Sequence, residues 1–281
     1  MKKIIAILMR RDKKEIAIPI RFYERGSKNI LSTKILVTFI KKYFFGQNKT
    51  LINSYRMSKT LKIINGFLFL FFAYTNLYAQ QLPFYDEIQH FKKLDSAKFP
   101  PKNAILFVGS SSIRKWEDVQ DYFPDETVIN RGFGGSELTD AIRYANDIIL
   151  PYHPRQIVIY SGENDLAYSD SITPPIVLKR FENLFNIIRS AMPQVPIVYV
   201  SIKPSPSREN LLPEMEKSNK LIKQFLLSKS KTVFVDVYHK MLAKSGKPLP
   251  DIFLDDNLHM NAKGYHIWQK AITPYLIKDK K

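Results

Sequence analysis

The residues with the clearest chemical potential are three serines at 110–112 and the segment Asp256-Asn-Leu-His259. A serine hydroxyl is a weak nucleophile until a neighbouring base takes its proton. His259 is the best base in this chain, because imidazole titrates near neutral pH without a large perturbation. Asp256 lies three residues earlier, close enough within a turn to accept the other ring N–H and fix the tautomer. Together these residue types predict nucleophilic attack on an acyl group.

Acyl transfer also needs hydrogen-bond donors for the oxyanion that develops during attack. A serine that follows a strand and begins a helix directs its own amide N–H towards that oxygen. Two further donors are the backbone of Gly135, where no side chain hinders a close approach, and the side-chain amide of Asn164.

Alternating strand and helix patterns must position these residues. The apolar run Ala104-Ile-Leu-Phe-Val108 before Gly109 is typical of a buried parallel strand. Further strands are predicted at 127–130, 156–160, 196–202 and 232–237, and helices at 137–150, 174–191, 209–228 and 262–277. This alternation predicts an α/β domain with a doubly wound parallel sheet. Ligands of such sheets bind beyond the carboxyl ends of the strands, where the polar clusters fall.

Four segments resemble the sequence blocks of SGNH (GDSL-type) esterases and lipases, and they occur in the order typical of that family. They are Ile105-Leu-Phe-Val-Gly-Ser-Ser-Ser-Ile-Arg-Lys-Trp116, Val128-Ile-Asn-Arg-Gly-Phe-Gly-Gly-Ser136, Gly162-Glu-Asn-Asp165 and Asp256-Asn-Leu-His259. The resemblance spans about residues 104–277. It implies a three-layer flavodoxin-like fold around about five parallel strands, and ester hydrolysis by a serine mechanism without metal or cofactor.

Carried over residue by residue, the resemblance implies that Ser111 is the nucleophile and that Asp256 and His259 complete the triad. Gly135 and Asn164 would donate to the oxyanion alongside the Ser111 amide. The usual Gly-Asp-Ser of the family is not kept, because a serine stands at position 110.

Two of these assignments have neighbouring alternatives. Ser112 is the second choice for the nucleophile within the serine run, and Asp255 competes with Asp256 for the triad carboxylate. The loop 201–208 follows the fourth predicted strand and should border the pocket. Its Lys203 and Arg208 are candidate substrate contacts, although its prolines could simply stiffen the loop.

The positive charge of the chain is concentrated near its beginning. The formal net charge is +17, of which residues 1–56 carry +11 and residues 81–281 only +4. No mixture of basic and aromatic residues in 81–281 is typical of a nucleic-acid groove, so we expect no nucleic-acid partner. The absence of cysteine excludes disulfides and a cysteine nucleophile.

Residues 57–80 have the pattern of a signal peptide: a short basic start, the apolar run Ile63-Ile-Asn-Gly-Phe-Leu-Phe-Leu-Phe-Phe-Ala-Tyr74 and a small residue, Ala79, before Gln80. An N-terminal membrane anchor is the alternative. We expect an exported, periplasmic or secreted protein with a hydrolase domain at 81–281. The basic extension at 1–56 suggests that translation starts at Met57.

Three functions fit these observations. The leading one is an exported serine esterase that removes acetyl or other short acyl groups from carbohydrate or a similar small ester. A lysophospholipase or thioesterase would use the same residues on a longer acyl chain. In a third interpretation, the serine turn binds a phosphate or flavin at the N-terminus of the first helix.

Overall fold

A computed structural model describes residues 3–11, 14–22 and 82–279. The chain divides into two compact units, Met1–Ala79 and Gln80–Lys281. In the first unit, β1 (Lys3–Arg11) and β2 (Lys14–Phe22) pair as an antiparallel hairpin. The predicted signal segment at 57–80 lies outside the described residues. Among the helices that are described, none is long and apolar enough to cross a membrane.

The second unit is built on the predicted five-stranded parallel sheet. Its strands are β3 (Ile105–Gly109), β4 (Val128–Gly132), β5 (Gln156–Tyr160), β6 (Ile197–Val200) and β7 (Thr232–Val235). They lie in the order β4-β3-β5-β6-β7, with every neighbouring pair parallel. The order changes direction beside β3, which is the topological switch point where ligands of such sheets bind.

Helices cover both faces of this sheet. They are α1 (Tyr85–Ala97), α2 (Ser111–Arg114), α3 (Val119–Tyr122), α4 (Leu138–Arg143), α5 (Ala145–Ile148), α6 (Glu163–Tyr168), α7 (Pro174–Ala191), α8 (Leu212–Leu227) and α9 (Ala262–Ile272). Single turns of 3₁₀ helix occur at Leu150–Tyr152, His239–Met241, Pro250–Ile252 and Thr273–Tyr275, and a longer 3₁₀ segment covers Pro206–Leu211.

Side chains of β3 alternate between two apolar cores. Leu106 and Val108 pack in the core shared with α7, whereas Ile105 and Phe107 pack in the core that contains Trp268 of α9. Successive strand residues point to opposite faces, so a strand buried on both sides is apolar at every position. The result is the predicted three-layer flavodoxin-like architecture.

Three predicted helices have different bounds in the structure. The helix predicted at 137–150 is split into α4 and α5, because Tyr144 between them has a non-helical backbone. The helix predicted at 209–228 begins at Leu212, after the 3₁₀ segment Pro206–Leu211. The one predicted at 262–277 ends at Ile272 and continues as the 3₁₀ turn Thr273–Tyr275, because Pro274 has no backbone N–H to continue the α-helical hydrogen bonds.

Candidate active site

The serine turn is held against the sheet by two close backbone approaches. Ser110 caps α2, so Ser111 is its first residue and follows β3 by two positions. A Cβ on Gly109 would lie 2.1 Å from the carbonyl oxygen of Tyr160, and one on Gly132 only 2.3 Å from the Arg114 amide. Glycine is therefore required at both positions for α2 to lie on the strand ends.

Asn130 fastens the serine helix to β4. Its side-chain amide donates to the carbonyl of Ile113 at 2.8 Å and of Trp116 at 3.0 Å, and its Oδ1 accepts the Gly132 amide at 2.8 Å. Ile113 lies in the serine helix and Trp116 in the turn after it, and their carbonyls also accept the backbone amides of Trp116 at 3.0 Å and Val119 at 3.2 Å. Asn130 was part of a sequence block that we noted, but its role depends on long-range contacts.

The structure brings Ser111, His259 and Asp256 together. His259 Nε2 lies 2.9 Å from Ser111 Oγ, and His259 Nδ1 lies 2.6 Å from Asp256 Oδ2. The other carboxylate oxygen, Oδ1, accepts the amides of Leu258 at 3.0 Å and His259 at 2.9 Å. Asp256 and not Asp255 thus meets the imidazole, because this turn fixes its carboxylate beside the ring.

Hydrogen bonds keep the Asp256 carboxylate ionised. Burial opposes the charge, but the bonds from the His259 ring and from the two backbone amides outweigh it and hold the pKa of Asp256 well below its usual value. A carboxylate in this position fixes the imidazole tautomer and stabilises the imidazolium that forms when the ring takes a proton.

Ser112 has a different environment. Its side chain is buried, and its carbonyl accepts a hydrogen bond of 2.9 Å from the hydroxyl of Tyr265. Of the two serines that the sequence left open, Ser111 is therefore the one in hydrogen-bond contact with the imidazole.

The three predicted oxyanion donors lie after neighbouring strands. Gly109 of β3 is in register with Gly132 of β4 and with Tyr160 of β5. Ser111, Gly135 and Asn164 come two to four residues after these three positions, so all three donors lie at the same edge of the sheet. Asn164 Nδ2 lies 3.8 Å from the position of a Cβ on Gly135. Within the described residues, the amides of Ser111 and Gly135 donate no hydrogen bond.

Glu87 supports the Gly135 loop from α1, a helix that the sequence did not predict. Its carboxylate accepts the Gly134 amide at 2.8 Å and lies 3.4 Å from Arg114 Nη1 of the serine helix. Gly134 has a φ of +33°, which favours glycine. Ile88 is the only buried residue of α1, so the sequence of this helix lacks the apolar stripe from which a helix is predicted.

The two cationic residues of the 201–208 loop have different environments. Lys203 is fully buried, with Nζ 2.8 Å from the carbonyl of Leu258 and 3.2 Å from the Glu163 carboxylate. Both groups bound to its ammonium belong to the protein and the side chain has no exposed surface, so the geometry disfavours the predicted substrate contact of Lys203. Arg208 is partly exposed, and its Nη2 donates to Asn164 Oδ1 at 3.0 Å.

Ser111 and His259 in hydrogen-bond contact, next to unpaired amide donors, form an arrangement suited to acyl transfer. Among the residues that the structure describes, no group of three or more His, Asp or Glu side chains could hold a metal ion. The fold is a flavodoxin-like parallel α/β domain, and this arrangement is a candidate hydrolase site at the carboxyl ends of its strands.

The GDSL-like lipase/acylhydrolase family model matches residues 107–267, more than half of the chain, and the protein belongs to this family. It is accordingly an ester hydrolase, as the sequence blocks predicted. No functionally curated protein is significantly similar to this chain in sequence. The interpretation as a phosphate- or flavin-binding module does not account for the family match.

Solved structures share the fold at low sequence identity. A Streptococcus pneumonia protein provisionally named a platelet activating factor is 21% identical with a TM-score of 0.61, covering 73% of this chain and 99% of its own. A GDSL-like lipase from Bacteroides thetaiotaomicron is 19% identical with a TM-score of 0.57, covering 66% and 95%. A protein of Bacteroides fragilis provisionally named an acylhydrolase has the same identity and TM-score, covering 70% and 95%.

Proposed function

We propose that this ester hydrolase uses Ser111 as nucleophile, His259 as general base and acid, and Asp256 to orient and stabilise the imidazole. The single observation that carries the proposal is the continuous hydrogen-bonded chain from Asp256 Oδ2 through both ring nitrogens of His259 to Ser111 Oγ. A nucleophile bonded to a base that a carboxylate orients is the arrangement that activates a serine hydroxyl.

In the proposed reaction, Ser111 Oγ attacks the carbonyl carbon of the ester while His259 Nε2 takes the hydroxyl proton. The tetrahedral oxyanion accepts hydrogen bonds from the amides of Ser111 and Gly135 and from Asn164 Nδ2. When the C–O bond to the alcohol breaks, His259 returns the proton to the leaving oxygen. Water then attacks the acyl-serine with the same proton transfers, releasing the acid and restoring Ser111.

The proposed substrate is a small ester, with an acetyl or other short acyl group on a carbohydrate or similar alcohol. The groups bound to Asn164 are polar, namely the Ser136 carbonyl and the Arg208 guanidinium, and the Asp256 side chain is exposed. A long acyl chain needs an extensive apolar lining, so polar surroundings favour a short one.

Labelling with a fluorophosphonate tests the nucleophile. We expect the full-length protein to form an adduct that mass spectrometry maps to Ser111, and we expect Ser111→Ala to abolish both the adduct and the hydrolysis of p-nitrophenyl acetate. Ser112→Ala is the matched control and should retain labelling. An adduct on Ser112, or activity in Ser111→Ala close to that of the wild type, would contradict the proposal.

A series of p-nitrophenyl esters of increasing acyl length tests the substrate class. We expect kcat/KM to be highest for acetate and to fall as the acyl chain lengthens. A maximum at eight or more carbons, on the order of the chain lengths that need an apolar groove, would replace this proposal with a lysophospholipase or thioesterase function.

We also propose that the protein is exported and that its hydrolase domain begins near residue 81. The support is the sequence pattern of residues 57–80, with Ala79 before the expected cleavage position. N-terminal sequencing of protein from the native host should find a chain that begins at Gln80 or Gln81. A mature chain that retains residues 57–79 would indicate the membrane anchor, and peptides from 1–56 would contradict a start at Met57.

A further inference from the structure

The side-chain amide of Asn164 is held between two groups of opposite hydrogen-bonding character. Nδ2 donates to the Ser136 carbonyl at 3.1 Å, and Oδ1 accepts from Arg208 Nη2 at 3.0 Å. Rotating the amide by half a turn would place two acceptors together at Ser136 and two donors together at Arg208. One orientation is therefore strongly preferred, and it leaves the second N–H of Nδ2 available to an oxyanion.

Arg208 is itself held by a buried carboxylate. Its Nη1 lies 3.0 Å from Glu163 Oε1, in ion-pair contact without the alignment of a hydrogen bond. Glu163 is almost fully buried and also accepts a hydrogen bond from the hydroxyl of Tyr160. Although burial disfavours its charge, the nearby Lys203 and Arg208 lower the pKa of Glu163, so the carboxylate remains ionised.

The Glu163 carboxylate is also connected, through Lys203, to the turn that contains His259. Lys203 pairs with Glu163 at 3.2 Å and donates from Nζ to the carbonyl of Leu258, the residue before His259. The two loops are joined again where the Ser207 amide donates to the Asn257 carbonyl at 3.0 Å. Glu163 thus lies between one cation that contacts the oxyanion donor and another that contacts the histidine turn.

A buried carboxylate with two cations is a costly arrangement to keep for stability alone. Ions lose hydration on burial, and replacing buried ion pairs by apolar residues is often neutral or stabilising. Surface arginines also lose side-chain entropy when they are fixed in one geometry. Fixing Arg208 with Glu163 gives the Asn164 amide a rigid partner, and preorganised donors are what stabilise an oxyanion.

We propose that Arg208 is a positioning residue, anchored by Glu163, that holds the Asn164 amide in the orientation that donates to the oxyanion. The inference rests on the proposed function, because it takes Asn164 as an oxyanion donor. Arg208 was predicted from the sequence as a substrate contact, and its bond to Asn164 assigns it this different role.

A double-mutant cycle between Asn164 and Arg208 tests the proposal. Hydrolysis of p-nitrophenyl acetate by the full-length protein would be measured for Asn164→Ala, Arg208→Met and the double variant. We expect Asn164→Ala to lower kcat by about 10²–10³-fold. Arg208→Met should lower kcat by about 10–10²-fold with KM nearly unchanged, as expected for a misplaced catalytic group. The double variant should be no slower than Asn164→Ala, because Arg208 then has no amide left to orient.

Two further variants separate positioning from folding. Arg208→Lys keeps a donor that can reach Asn164 and should recover part of the lost kcat, whereas a purely structural role predicts no such recovery. Glu163→Gln preserves side-chain shape while removing the charge that anchors Arg208, and should reproduce the kcat loss without a rise in KM. Circular dichroism and thermal unfolding would confirm that each variant is folded before it is assayed.

Different results overturn the inference and the proposed function. If the losses of Asn164→Ala and Arg208→Met multiply in the double variant, or if Arg208→Met raises KM alone, Arg208 contacts substrate and the positioning role is wrong. In that case Ser111→Ala would still be inactive. If Ser111→Ala keeps wild-type activity, the proposed function itself fails, and the positioning role fails with it.

Discussion

Two turns of this protein share one sequence pattern and one local geometry. Asp236-Val-Tyr-His239 and Asp256-Asn-Leu-His259 both place an aspartate three residues before a histidine. The carboxylate Oδ2 lies 2.7 Å from Nδ1 of His239 in the first turn and 2.6 Å from Nδ1 of His259 in the second. In both, Oδ1 accepts the histidine amide, at 3.1 Å and 2.9 Å.

The two imidazoles differ in what lies next to Nε2, the ring nitrogen that does not contact the aspartate. His239 is 64% exposed, and within the described residues its Nε2 has no hydrogen-bond partner. His259 is 14% exposed, and its Nε2 meets Ser111. His239 follows β7, three strands across the sheet from β3, or about 14 Å at the usual strand spacing. The local turn therefore makes an aspartate–histidine pair, and its place in the fold decides whether the pair meets a serine hydroxyl.

Replacing the two histidines is the most direct way to break this comparison. His259→Ala should lower kcat by about 10⁶-fold, because the nucleophile then has no base. His239→Ala should leave kcat within about twofold of the wild type, as expected for an exposed residue away from the chemistry. Steady-state assays on p-nitrophenyl acetate measure both. A large loss in His239→Ala with an unchanged fold would show that the second turn has a function of its own.

Replacing the two aspartates should give a smaller difference in kcat between the two turns than replacing the two histidines. Asp256→Asn is expected to lower kcat by about 10⁴-fold, because the amide favours the wrong imidazole tautomer. Asp236→Asn should have no measurable effect on kcat, although it breaks the same local hydrogen bond. Comparable losses in the two variants, determined in the same assay, would mean that the carboxylates act through the stability of their turns.

The pH profile shows which member of the Asp256–His259 pair titrates during catalysis. Only a neutral imidazole can accept the serine proton, so kcat should fall about tenfold per pH unit on the acid side of the profile. The lowered pKa of Asp256 keeps this carboxylate ionised there, and any stability from its charge is lost only as pH falls through that lower pKa. The acid side should thus show a slope of one proton, and a slope of two would show that both groups titrate together.

Gly135→Ala should give the smallest change and reports on the space beside Asn164. The nearest protein atom to a Cβ at this position is Asn164 Nδ2 at 3.8 Å, an ordinary van der Waals distance, so thermal unfolding should be unchanged. The methyl group would extend towards the donor proposed for the oxyanion, and kcat/KM should fall by no more than about 10²-fold. A destabilised protein with unchanged activity per folded molecule would show that Gly135 has only a backbone role.

The sequence by itself determined the elements that depend on local pattern. Continuous apolar runs predicted the strands, and α7 has the predicted bounds because its apolar residues recur at helical spacing from a proline-rich start. The Asp256–His259 turn was also predictable, since three residues suffice for the carboxylate to reach the ring. α1 and the break at Tyr144 were missed, because neither has a pattern that differs from its surroundings.

Only the tertiary structure decided how these parts meet. Ser111 and His259 are 148 residues apart, and the sheet order, the close approaches at Gly109 and Gly132, and the bonds of Asn130 set the position of the serine. The chain contains two Asp-x-x-His turns and three consecutive serines, and no local rule distinguishes one from another. Lys203 and Arg208 are five residues apart in one loop, yet one is buried against Glu163 and the other holds Asn164. Local preferences act over a few residues, whereas burial and hydrogen bonding at the site depend on strands that become neighbours only when the sheet forms.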